Sequence, residues 1–216
     1  TIIDIYINTN YLQIDAKNMN AILFPGQGSQ IPGMGKDFYN NFEIVKKIFK
    51  EADEKLNYKI SKIILEGPED KLKLTENTQP IMLAAGYATY KILSEEISLS
   101  PVSMAGHSLG EYTALVASSS LNFFDAIRLV KKRGELMQSA VPKGTGSMAA
   151  ILGLEDDFIT EECNKASQKG VVEAVNFNSP GQVVIAGYKE AVAYACELLK
   201  EAGAKRAIVL PVSVPS

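Results

Sequence analysis

VSMAGHSLGEYTALVA, residues 102–117, is the stretch on which the reading of this chain turns. Val102–Gly106 is a short apolar run that suits a strand. Leu109–Ser119 is rich in small and apolar residues and suits a buried helix. Between them stand His107 and Ser108, with Gly106 and Gly110 on either side. A strand that turns sharply into a helix through Gly-x-Ser-x-Gly presents its serine at the head of a sheet. The glycines let the backbone turn and let strand and helix pack closely. The helix N-terminus then favours negative charge developing beside the serine. Ser108 is therefore a candidate nucleophile. The pattern alone arises by chance in roughly one chain in fifteen of this length, given ordinary glycine and serine usage. The strand–turn–helix context gives it weight. The competing reading is a serine that simply caps the helix.

His107 is the chain's only histidine. Adjacent residues on a strand point to opposite faces, and a base must come within hydrogen-bond reach of the nucleophile. His107 is therefore expected to support the turn by packing or hydrogen bonding rather than to act as base.

Upstream, Ala21–Phe24 reads as a buried strand that stops at Pro25-Gly26 and feeds the loop PGQGSQIPGMG, residues 25–35. Lys36–Leu56 carries apolar residues at helical spacing. Pro80–Ile97 reads as a helix with Pro80 in its first turn. Downstream, Phe124–Ala140 is amphipathic, with Ile127, Val130, Gly134 and Met137 along one stripe. This alternation predicts an α/β layer structure with a parallel sheet.

The pattern changes near Pro142. Strands are expected at Ser147–Leu152, Val171–Asn176, Gln182–Ala186 and Arg206–Val212, and helices at Asp156–Lys169 and Lys189–Ala202. The cluster NSPG joins the two middle strands, and Gly203 is a normal helix stop. The order β-α-β-β-α-β is that of a ferredoxin-like unit. A second, smaller domain is thus expected over residues 145–213, inserted in the larger one.

The 216 residues are 46% apolar and 22% charged, with net charge −3. That is ordinary for a globular protein. The basic residues form no run, which argues against a nucleic-acid partner. No apolar stretch approaches the roughly 20 residues of a membrane span. Cys163 and Cys196 fit no metal or redox spacing and read as buried thiols of a reducing cytoplasm. One histidine and two cysteines make a zinc site improbable. Residues 1–19 lack the features of a signal peptide and read as a leader or extension, with Met19 as a possible natural start.

GHSLGEYTALVA (106–117) and FPGQGSQ (24–30) together resemble the malonyl-coenzyme A:acyl carrier protein transacylases of fatty acid biosynthesis. Further matching stretches are TQP (78–80), RLVKKRGELMQ (128–138), GSMAAILGL (146–154), NFNSPGQVVIAG (176–187) and AKRAIVLPVSVPS (204–216). The resemblance runs over residues 21–216. It implies a fold with an α/β-hydrolase-like core and parallel sheet plus a ferredoxin-like subdomain. It implies that Ser108 takes the malonyl group as an ester. Leu109 and Gln27 match the residues whose backbone N–H groups form the oxyanion hole. Arg133 matches the arginine that holds the malonyl carboxylate; by itself it reads as a solvated helix arginine, as Arg128 and Lys131 do. Asn176, Asn178 and Gln182 read as turn and strand-end residues, with lining of an inter-domain cleft as the alternative.

The implied partners are malonyl-coenzyme A, a substrate rather than a cofactor, and acyl carrier protein. The implied enzyme is a cytoplasmic monomer with no metal. The family's base is a histidine directly after a VSVPS-like segment, which here is Val212–Ser216. Position 217 would hold it, so the chain as given is expected to lack its base and to be an inactive fragment with an unfinished core sheet. On that reading residues 20–144 are the N-terminal part of the acyltransferase domain, 145–213 the subdomain, and 214–216 a truncated return. Two other readings stand beside it. One is a serine esterase or thioesterase, for which Arg133 is the discriminator. The other is a non-catalytic fragment that binds a carrier protein.

Overall fold

The computed structural model describes residues 20–96, 99, 101–142 and 144–210. The leader expected over 1–19, the return over 214–216 and the end of the last expected strand lie outside the described residues. The chain divides into two compact units, residues 1–135 and 136–216.

In the first unit, β1 (Asn20–Phe24) and β2 (Pro101–Gly106) pair in parallel. Leu23 faces Ala105 and Phe24 faces Gly106. β1 is not the buried strand that its apolar run suggests. Phe24 packs with Ala114 and Ala117, whereas Leu23 is 76% exposed. Alternating side chains put these two on opposite faces, and helix α6 (Leu109–Ala117) packs beneath only one of them.

The helix expected over Lys36–Leu56 is two helices, α1 (Lys36–Asn41) and α2 (Glu43–Leu56). Phe42 breaks them with extended backbone, φ −124° and ψ 116°. Asn40 and Asn41 precede the break, and the Asn41 amide donates to the Asp37 carbonyl at 2.8 Å. Asparagine amides that bond local backbone compete with helix continuation. Two short helices that periodicity does not single out follow, α3 (Ile60–Glu66) and α4 (Glu69–Leu72).

The next helix, α5, runs Thr75–Glu96, so Pro80 lies inside it rather than in its first turn. Proline there removes one donor to the carbonyl four residues back. The start is secured by side chains instead. Thr78 Oγ1 lies 2.6 Å from the Leu72 carbonyl and 3.0 Å from that of Leu74. Asn77 Nδ2 donates to the Lys71 carbonyl at 3.0 Å. The last helix of this region, α7, spans Phe123–Ser139 and buries Ile127, Val130 and Gly134. The core joins α2, α3, α5, α6 and α7 through Ile48, Phe49, Ile64, Leu83, Leu109 and Ile127.

In the second unit four strands form one antiparallel sheet: β3 (Gly146–Leu152), β4 (Val172–Ser179), β5 (Gln182–Tyr188) and β6 (Arg206–Val209). Their order is β4-β5-β3-β6. Helices α8 (Asp156–Ala166) and α9 (Lys189–Glu201) complete the ferredoxin-like β-α-β-β-α-β pattern. A 3-10 turn, Ser167–Lys169, finishes α8. The core packs Ile151, Val183 and Ile185 of the sheet against Ile159, Cys163, Val192 and Leu199 of the helices. Asn176 and Asn178 lie in β4 and Gln182 opens β5, so all three occupy strand positions flanking the Pro180-Gly181 turn.

Candidate active site

Three glycines let the elements around Ser108 close on one another. A Cβ at Gly106 would stand 1.9 Å from the backbone carbon of Gly110. One at Gly110 would stand 2.1 Å from the Phe24 carbonyl oxygen. One at Gly26 would stand 2.8 Å from the His107 carbonyl oxygen. Real Cβ atoms do not approach backbone so closely. Strand β1, the loop after it, strand β2 and helix α6 are therefore in backbone contact around one point.

Ser108 sits at that point, exposed, with φ 53° and ψ −107°. A non-glycine residue there is strained, a state that persists only where the surroundings enforce it. The main chain holds it from both sides. His107 N–H donates to the Phe24 carbonyl at 3.1 Å, and the His107 carbonyl accepts from Gly110 N–H at 2.9 Å. Glu111 N–H donates to the Ser108 carbonyl at 3.2 Å. His107 thus ties the elbow to β1, and its Nδ1 edge packs over Gly26.

Ser108 occupies the N-cap position of α6, but its side chain makes no capping hydrogen bond. Its Oγ instead accepts from Arg133 Nη2 at 3.1 Å. The guanidinium's other end, Nη1, donates to Gln79 Oε1 at 2.8 Å. The Arg133 guanidinium carbon also lies 5.6 Å from the centroid of the Tyr112 ring, within cation–π range. Arg133 is therefore no freely solvated arginine: an amide, a hydroxyl and an aromatic ring fix it.

Packing brings Arg133 there. A Cβ on its neighbour Gly134 would stand 2.6 Å from Glu76 Cα and 2.7 Å from the Thr75 carbonyl oxygen. Helix α7 thus lies directly on the first turn of α5, one turn from Gln79. That turn is polar yet buried: Thr75, Asn77, Thr78 and Gln79 are each at most 2% exposed.

Leu109 is fully buried and begins α6, so its N–H has no acceptor within the helix. Gln27 follows buried Gly26 in the loop lying on His107. Its side-chain Nε2 makes a long 3.5 Å contact to Thr75 Oγ1. Sequence reasoning gave no role to Gln79, Thr75 or Tyr112, although Gln79 lies in the TQP stretch (78–80) and Tyr112 in GHSLGEYTALVA (106–117). Five consecutive residues, TENTQ, ahead of an apolar helix were the available signal for the first two.

An apolar pocket of about 180 Å³ elsewhere in the unit is lined by Met34, Phe38, Val45 and Phe49 and holds none of these residues. Among the described residues no group of three His, Cys, Asp or Glu could hold a metal ion. Among them, too, no helix is long and apolar enough to cross a membrane.

Residues 22–216 match the family model described as acyl transferase domain. The chain is 52% identical over 196 residues to the malonyl CoA-acyl carrier protein transacylase of Escherichia coli K12, covering 91% of this chain and 63% of that protein. Identity to the Haemophilus influenzae protein of the same name is 54% over 197 residues, with the same two coverages. Among solved structures, an acyl carrier protein S-malonyltransferase from Vibrio cholerae superposes with TM-score 0.85 at 54% identity, covering 91% of this chain and 64% of that one. The chain thus spans a little under two thirds of the length of these relatives.

Proposed function

The chain belongs to the acyl transferase domain family, and on that premise we propose that the protein carrying it moves a malonyl group from coenzyme A to acyl carrier protein through an ester on Ser108. The observation that carries this reading is the Arg133 guanidinium, 3.1 Å from the Ser108 hydroxyl oxygen. A cation poised there suits an acyl group that ends in a carboxylate.

Ser108 Oγ attacks the thioester carbonyl and gives up its proton to a general base. The carbonyl oxygen becomes an oxyanion, which the N–H groups of Leu109 and Gln27 stabilise. Loss of one such donor costs roughly 3–4 kcal/mol of barrier in a well-studied protease. The tetrahedral intermediate collapses, the C–S bond breaks, and coenzyme A leaves as the thiol. The phosphopantetheine thiol of the carrier protein then attacks the serine ester by the same route. This is ping-pong chemistry with a covalent intermediate. Throughout, Arg133 holds the malonyl carboxylate with a planar fork.

The thioesters are substrates, and the chemistry calls for no metal or redox group. The names of the relatives support malonyl-coenzyme A and acyl carrier protein as the partners. We assign residues 20–144 to the acyltransferase domain that carries the chemistry and 145–213 to a ferredoxin-like subdomain, in a cytoplasmic monomer. The buried thiols Cys163 and Cys196 support a reducing compartment.

The test is intact-mass detection of a malonylated protein after brief exposure to malonyl-coenzyme A, followed by its discharge onto carrier protein. Ser108→Ala must abolish the adduct; an adduct that forms at the normal rate without Ser108 overturns the assignment. A serine esterase reading predicts equal or better use of acetyl thioesters. Arg133 beside the nucleophile argues against it, because an apolar acyl chain gains nothing from a cation.

A further inference from the structure

We propose that Gln79 is the residue that determines acyl specificity at one remove, by aiming Arg133 at the acyl group on Ser108. This rests on the reading of the site as a malonyl transferase. Gln79 is fully buried on α5, and its Oε1 accepts from Arg133 Nη1 at 2.8 Å. Arginine only donates, so the amide oxygen must face it. With Nη1 held there, Nη2 of the planar guanidinium points to Ser108 Oγ. An arginine without that anchor has long, freely rotating side-chain bonds that the incoming carboxylate must order.

Two further features brace the anchor. The Gly134 backbone rests on Thr75 and Glu76, so α7 cannot slide along α5 without a clash. Thr78, beside Gln79, is fully buried and bonded through Oγ1 to the carbonyls of Leu72, at the end of α4, and Leu74. The buried polar turn Thr75–Gln79 is thus a platform. It carries the specificity cation through Gln79, and through Thr75 it touches the side chain of Gln27. Gln79 is a positioning residue: its task is to have Arg133 already in place before a carboxylate arrives.

The experiment compares malonyl- and acetyl-coenzyme A as donors in the full-length protein bearing Gln79→Met or Gln79→Glu. Methionine keeps the volume and removes the acceptor. It should lower malonyl kcat/KM about 10-fold, chiefly through KM, the scale of one hydrogen bond to a charged group. Acetyl transfer should stay within about twofold, since it draws nothing from the clamp. Glutamate should pair with Arg133 and repel the incoming carboxylate, so it should lower malonyl use further than methionine does. In an Arg133→Ala background, Gln79→Met should add nothing, because the residue it positions is gone. A proportional fall in malonyl and acetyl transfer, or a fully additive double variant, overturns the positioning role. A wild-type protein that shows no preference for malonyl overturns the proposed function itself, which separates the two failures.

Discussion

Arg133 and Ser108 meet directly: Nη2 of the guanidinium donates to the serine Oγ at 3.1 Å, from a residue 25 positions along the chain. The hydroxyl oxygen thereby accepts from a cation. A bound malonyl carboxylate offers the same guanidinium a charged acceptor, a better partner than a neutral hydroxyl. On the proposed function, malonyl binding would exchange one contact for a stronger one and release a lone pair of the nucleophile.

Removal of Arg133 should separate the two acyl groups. Arg133→Ala is expected to lower malonyl kcat/KM by roughly 10- to 100-fold per lost bond, mainly through KM. Acetyl transfer should hold or rise, because the hydroxyl loses its competing donor. Arg133→Lys should recover only part of the malonyl preference, since an ammonium lacks the planar fork. Steady-state rates with both donors read this out, and an equal loss on both would remove Arg133 from substrate recognition.

Ser108 holds a backbone geometry, φ 53° and ψ −107°, that glycine adopts at far lower cost. Ser108→Gly should therefore abolish acylation and raise stability by about 1–2 kcal/mol. Ser108→Ala should abolish acylation without that gain, because alanine keeps the Cβ. Denaturant midpoints of the three proteins distinguish these outcomes. No gain for glycine would mean that the elbow relaxes in solution.

The elbow glycines should be far less tolerant than the loop glycines. At Gly106 a methyl group meets the backbone of Gly110 and Glu111 at 1.9–2.1 Å, and no side chain can yield there. Gly106→Ala should force β2 away from α6 and cost more than about 4 kcal/mol. At Gly28 nothing lies within 4 Å, although φ is +122°. Gly28→Ala should cost only backbone strain, on the order of 1–3 kcal/mol. Chemical denaturation ranks the two, and equal costs would mean that close packing at the elbow contributes nothing.

These contrasts also explain what the sequence could disclose. The elbow was legible because its constraint is local: two glycines around a serine, after an apolar run and before a helix. The ferredoxin-like unit was legible because strand and helix periods alternate cleanly between Gly146 and Val209. The break at Phe42 was not, because apolar spacing continues across it while the Asn41 amide bonds local backbone at the end of α1. The start of α5 was misplaced at Pro80 because proline favours a first turn in isolation. Buried side-chain bonds from Asn77 and Thr78 start the helix at Thr75. That same error left Gln79 without a role, although it lies in the matching stretch TQP (78–80). A glutamine ahead of a helix looks solvated, and only the approach of α7 through Gly134 turns it into a buried anchor. Arg133 itself was assigned through resemblance, since a helix arginine has no local mark of its tertiary partners.

The second unit carries a titratable group whose effect on stability has a definite sign. Burial in the α8–α9 core pushes the Cys163 thiol from its ordinary 9.0 up to about 11, with smaller upward contributions from Cys196, Glu162 and Glu173. Burial raises the Cys196 thiol too, with Lys200 opposing. Between pH 9 and about 11 the folded protein keeps a proton on Cys163 that the unfolded chain releases. Stability from this group is therefore complete below pH 9 and is lost as pH climbs toward 11, by up to about 2–3 kcal/mol. Cys163→Ala leaves a small void that costs on the order of 1 kcal/mol at every pH, but it removes this loss. The stability gap between wild type and variant should thus be constant up to pH 9, then shrink and reverse sign as the pH approaches 11. Urea unfolding across that range measures it, and a gap that stays constant throughout would mean that the thiol ionises as readily in the fold as out of it.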